Sequence, residues 1–149
     1  MIDRRESSIS KINSAVVMTK TLPCSLWLDL LGKPYRAGGR GPDAYDCVGL
    51  MLELERRLGR TLPPWGSHGR NLAAALAYWE PVDDPAPGDG ILLESDDTPW
   101  HIGVVCAEGW MLHAHASCGV VKERYNAWPW QNRIRGFYRA RRNDQPARS

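Results

Sequence analysis

The sequence has no long apolar run. Nothing in it approaches the roughly 18 residues that a membrane-crossing helix requires, which excludes a helical membrane span. Phenylalanine is almost absent, one residue against seven Trp and five Tyr. Aromatics weighted toward polar-tipped side chains suit ligand grooves and interfaces. There is no C-x-x-C pair: Cys24, Cys47, Cys106 and Cys118 are scattered, and a chain of 149 residues does not depend on a disulfide framework. Neither a G-x-x-x-x-G-K-[ST] loop nor a strand-linked G-x-G-x-x-G is present, so nucleotide binding has no support. The first 20 residues lack a basic head followed by an apolar core. That predicts a chain made in the cytosol with free thiols rather than exported through a secretory signal.

What is present describes one globular domain, 43% hydrophobic and 24% charged. The net charge of +2 is unevenly spread. Residues 122–149 carry eight Lys or Arg against two acids, whereas Glu80 to Asp97 hold seven acids and no Lys or Arg. A basic tail on an acidic body offers a contact for a partner protein, but it is not a general nucleic-acid footprint, and no nucleic-acid partner is expected.

Along the chain, residues 1–20 read as a polar arm, 21–140 as the folded domain and 141–149 as a basic tail. Ser25 is placed to cap a short helix over Leu26–Leu31, which Gly32 ends. Residues 33–43 are rich in turn formers. Apolar residues at 47, 50, 51, 54 and 58 then predict a helix from Cys47 to Leu58, stopped by Gly59, with Asp43 or Asp46 as its N-terminal acid. Residues 60–70 read as loop and Asn71–Trp79 as a short Ala-rich helix. Ile91–Glu94, His101–Ala107, Trp110–His115, Gly119–Tyr125 and Ile134–Ala140 read as a meander of antiparallel strands. Helices followed by strands define an α+β domain.

Cys47 carries the most chemical information. A thiol at a helix start faces backbone N–H groups and the positive end of the helix dipole, which predicts a lowered thiol pKa. The plainer reading is a small apolar residue in the helix seam. A nucleophilic thiol needs a base, and His101 opens a strand while His113 sits in the next one, twelve residues on. His115 shares the face of His113, and His68 lies in a loop. A competing zinc reading takes His113, His115 and Cys118 with His101 or Cys106 as fourth ligand, but no second close ligand pair appears. No metal or cofactor is expected.

Gly32-Lys33-Pro34-Tyr35-Arg36-Ala37-Gly38-Gly39 followed by Tyr45-Asp46-Cys47-Val48-Gly49-Leu50 resembles the first half of the NlpC-type cell-wall cysteine peptidases. Pro87-Gly88-Asp89-Gly90, His101-Ile102-Gly103-Val104-Val105 and Met111-Leu112-His113-Ala114 follow in the family's order. The resemblance, over about Trp27 to Val121, implies a papain-like α+β fold that cleaves peptide bonds of peptidoglycan, often between D-γ-glutamyl and diaminopimelate. It implies Cys47 as nucleophile, His101 as base and His113 as the residue orienting it. It also implies that the Tyr35 hydroxyl faces the active site and that Asp46 helps shape the substrate pocket. Cys24, Cys106 and Cys118 then become small buried residues.

The family usually has Ser after the nucleophile, and this chain has Val48, an apolar contact for substrate in place of a donor. Val48 and the stretch from Gly39 to Cys47 resemble the bacteriophage-tail branch. That implies a subunit made in the bacterial cytoplasm, carried on a tail or tail-like particle, and acting in the cell wall with the peptidoglycan stem peptide as substrate. Six arginines in residues 133–148 are suited to such docking. An idle structural tail-tip subunit and a papain-like amidase or acyltransferase remain as alternatives.

Overall fold

The structure, a computed structural model, describes residues 20–60, 62, 77–96 and 100–141. The expected N-terminal arm, the Asn71–Trp79 helix up to residue 76, His68 and all but the first residue of the basic tail lie outside the described residues. The one α-helix among them, α1 (Cys47–Arg57), forms where the apolar spacing predicts it. Asp46 caps it, its side chain accepting from the Gly49 amide, and Leu58 and Gly59 (φ +87°) close it. Leu50, Met51, Leu54 and Leu58 make its buried stripe.

Six strands follow: β1 (Trp79–Val82), β2 (Gly90–Leu93), β3 (His101–Ala107), β4 (Trp110–His115), β5 (Gly119–Arg124) and β6 (Ile134–Ala140). They form one antiparallel sheet in the order β1-β6-β2-β3-β4-β5. β1 was not expected, because Trp79 reads as the end of a helix and Pro81 argues against a strand. It lies on the sheet edge, where a residue without an N–H is tolerated.

The sheet has two apolar faces. Ile102, Val104 and Cys106 of β3 with Leu112 and Ala114 of β4 pack against α1. On the alternate residues, Val105 and Met111 join Ile91, Leu93, Tyr125 and Trp130 in a second cluster. Burial on both faces explains why β3 reads as a continuous apolar run rather than as an alternating one.

The Leu26–Leu31 segment departs from expectation. It forms two 3₁₀ turns, Cys24–Leu26 and Leu28–Leu30, and Ser25 caps neither. Trp27, at φ −144°, breaks the helix between them, and its indole N–H donates to the Leu22 carbonyl at 3.3 Å. Burying the Trp27 ring decides the local backbone. Arg57 ties these turns to α1 through a two-bond fork on Asp29, at 2.6 and 2.9 Å. Buried Asp89, in the Pro-Gly-Asp-Gly turn, accepts a similar fork from Arg139 of β6, both bonds 2.9 Å, and fixes the entry of β2.

Glu55 of α1 is fully buried. Its Oε2 accepts from Arg60 at 2.8 Å, and Oε1 has no hydrogen-bond partner among the described residues. Burial pushes its pKa up from 4.5 to about 7, against the pull of Arg60. The unfolded carboxyl releases its proton first, so this residue withdraws stability as pH rises from about 4.5 to about 7. The stability of Glu55→Gln relative to the native protein is therefore expected to be more favourable at pH 8 than at pH 5, by on the order of 2–3 kcal/mol in urea unfolding. An equal difference at both pH values would contradict the assignment.

Candidate active site

The site begins with the Asp46 carboxylate, which is 4% exposed. Its Oδ1 accepts from the Gly49 amide and from Arg40 Nη1, both at 2.7 Å, and its Oδ2 from the Gly38 amide at 3.0 Å. The Asp46 amide in turn donates to the Gly39 carbonyl. One side chain thus starts the helix and closes the glycine-rich loop over it. A Cβ at Gly49 would lie 2.0 Å from the Gly39 carbonyl oxygen, so only glycine allows helix and loop to approach this closely.

Cys47 therefore opens α1 as a partly buried free thiol. The Ile102 amide at the start of β3 hydrogen-bonds its sulfur, which places the thiol beside the strand that His101 opens. His101 Nε2 lies 2.8 Å from His113 Nδ1, and His113 Nε2 lies 2.9 Å from Glu123 Oε1. Trp130 stacks on the His101 ring at 5.5 Å and 19°, meets the His113 ring edge-on at 5.2 Å, and donates from Nε1 to Glu123 Oε2 at 3.3 Å. Both imidazoles are buried, His113 completely.

The electrostatics reverse one expectation. Burial pushes the Cys47 thiol up to about 11, and the Asp46 carboxylate raises it further; the Ile102, Val48 and Cys47 amides pull the other way and lose. Burial also brings His101 and His113 down to about 3, with the neighbouring imidazoles adding to the effect. The resting groups are a neutral thiol and neutral imidazoles. The helix start alone does not make a thiolate.

The other expected residues fall in different places. Tyr35 is half-buried, pairs with Tyr45 through the backbone and packs against the core. Val48, 2% exposed, lies in the core cluster, so its side chain packs inward rather than lining an open surface. Of the cysteines expected to be buried, only Cys106 is; Cys24 and Cys118 are exposed because each sits in a turn. Among the ligands of the zinc reading, both His113 nitrogens are engaged, and His115 Nδ1 accepts from the Ser117 amide at 3.0 Å.

Sequence reasoning passed over Glu123 and Trp130. Alternation along β5 was the available signal for Glu123, which pairs with Met111 and so lies diagonal to His113 on the same face. Trp130 sits in the turns between β5 and β6, where no periodicity marks it.

The one α-helix among the described residues begins at a cysteine and lies on an antiparallel sheet that carries a buried histidine pair, which defines a papain-like α+β fold. The model of the NlpC/P60 family matches residues 32–139, and the chain belongs to that family. It is 29% identical over 109 residues to "Probable endopeptidase p60" of Listeria seeligeri, covering 73% of this chain and 20% of that protein. It is 29% identical over 108 residues to a "Probable endopeptidase" of Corynebacterium glutamicum, covering 70% and 48%. The chain thus spans less than half the length of these relatives. Among solved structures, an NLP/P60 family protein of Staphylococcus aureus superposes with a TM-score of 0.61 at 23% identity, covering 86% of this chain and 41% of that one. The NlpC/p60 domain of the peptidoglycan hydrolase SagA gives 0.58 at 19% identity, covering 86% and 99%.

The raised thiol predicts how Cys47 reacts in the absence of substrate. In a Cys24→Ser/Cys118→Ser background, its alkylation by iodoacetamide is expected to climb about tenfold per pH unit through pH 9, tracking the thiolate fraction of a group titrating near 11. A rate that levels off below pH 8 would show that attraction between thiolate and imidazolium overrides burial.

Proposed function

We propose that this chain is a cysteine endopeptidase that cuts the stem peptides of peptidoglycan, at the D-γ-glutamyl–diaminopimelate bond. The observation that carries the reading is the buried His101–His113 contact on the strand whose Ile102 amide hydrogen-bonds the Cys47 sulfur. Cys47 is the nucleophile, His101 the base and His113 the residue that orients it. Because both groups rest neutral, activation is proton transfer during attack: His101 Nδ1 takes the thiol proton as sulfur adds to the scissile carbonyl. The amides at the start of α1 face the developing negative charge. His101 then returns the proton to the leaving amine. A water, activated by the same imidazole, hydrolyses the thioester and regenerates the thiol.

Substrate contacts are assigned by the family resemblance, which gives Tyr35 a hydroxyl facing the active site. Asp46 acts through the loop it holds, and Val48 through the packing that sets the first turn of α1.

The finer part of the proposal is carriage on a phage tail or tail-like particle, with tail proteins as partners and the cell wall as the place of action. The Gly39–Cys47 stretch and Val48 support it by resemblance. Trp128 and Leu28, large apolar side chains exposed to solvent, give such a partner something to bury.

Purified peptidoglycan incubated with the protein is expected to release stem-peptide fragments cut at that bond, identified by mass spectrometry. Cys47→Ala is expected to reduce release to background while keeping the native far-UV spectrum. Full activity in that variant would falsify the peptidase reading. Particle carriage is checked separately, by mass spectrometry of purified particles. Recovery only as free protein in lysates would refute it and leave the chemistry standing.

A further inference from the structure

Two neutral imidazoles in contact through one nitrogen each admit two arrangements. In the first, His101 donates from Nε2–H to His113 Nδ1; His113 then carries its proton on Nε2, and His101 Nδ1 is bare. In the second, His113 donates from Nδ1–H; its Nε2 is then bare, and His101 carries its proton on Nδ1. The 2.8 Å contact alone allows both. Only the first leaves His101 with a lone pair on the nitrogen turned away from His113. Burial holds both rings neutral across the ordinary pH range, so each has a single N–H to place.

The choice is made at the far end of the chain. An ionised carboxylate has acceptors and no donor. Glu123 Oε1, 2.9 Å from His113 Nε2, therefore accepts an N–H there, whereas the second arrangement would set two lone pairs against each other. The other oxygen is held by Trp130, the residue that stacks on His101, so one indole fixes both the carboxylate and the ring plane at the opposite end. The flanking cations are directed elsewhere: Lys122 and Arg124 lie over the Trp110 ring at 4.8 and 4.9 Å.

We infer that Glu123 is a positioning residue: it fixes the tautomers of His113 and His101, and thereby keeps His101 Nδ1 unprotonated. The inference rests on the proposed role of His101 as the base for Cys47. An acid on an edge strand is otherwise read as a surface ion pair, which adds little to stability.

The test is the protonation pattern of the ring nitrogens, read by ¹⁵N NMR of histidine-labelled protein. In the native chain, His101 and His113 are both expected as Nε2–H tautomers. Glu123→Gln places an amide that can donate to His113 Nε2, so His101 is expected to gain an Nδ1–H population. Stem-peptide kcat is expected to fall about 10- to 100-fold, less than loss of the base itself, with KM little changed. Glu123→Asp, which keeps the carboxylate, is expected to keep the native tautomers. Unchanged tautomers in folded Glu123→Gln overturn the inference, whatever the rate. If the native protein cleaves no stem peptide, the peptidase proposal fails, and the NMR pattern still decides the role of Glu123.

Discussion

The fold turns on one buried carboxylate. Asp46 is the residue before the thiol, and it does three tasks with two oxygens: it caps α1, it gathers the Gly38 amide, and it pairs with Arg40. A charge this deep is costly unless every acceptor is used, and here the partners are two backbone amides and a guanidinium. Two of those partners, Gly38 and Arg40, lie in the loop, and the third, Gly49, lies in the first turn of α1. Satisfying the carboxylate therefore closes the loop over the helix start and sets where Cys47 emerges.

A second constraint comes from placing polar groups on a sheet that is buried on both sides. His113 has no contact with solvent, so both of its nitrogens must be satisfied inside the protein. They are, by His101 on the neighbouring strand and by Glu123 on the other side. The same burial that makes these contacts obligatory keeps the thiol and imidazoles uncharged. On the proposed mechanism, charge then separates at the site only when substrate arrives.

Much of this was legible in one dimension. The 47, 50, 51, 54, 58 spacing gave α1 to within a residue, and the bounds of β3, β4 and β6 were read as they stand. The order of Cys47, His101 and His113 raised the expectation of one site, because chemistry restricts which residue types can work together; of that set the structure shows the His101–His113 contact. The errors have physical causes. Leu26–Leu31 carries helical spacing, but the buried Trp27 ring imposes two 3₁₀ turns. β1 contains a proline, which is acceptable only because the strand lies on an edge, a position no local pattern reveals.

The residues themselves determined the helix, five of the strands and an acid at the helix start, with Asp43 and Asp46 both open for that place. Each of these follows from local periodicity or from the identity of a side chain. Tertiary structure alone decided that burial outweighs the helix start at Cys47, that Val48 faces the core, and that Glu123 and Trp130 complete the histidine pair. Desolvation depends on everything packed around a group, and a hydrogen bond across strands depends on register. Neither quantity is carried by any short stretch of sequence.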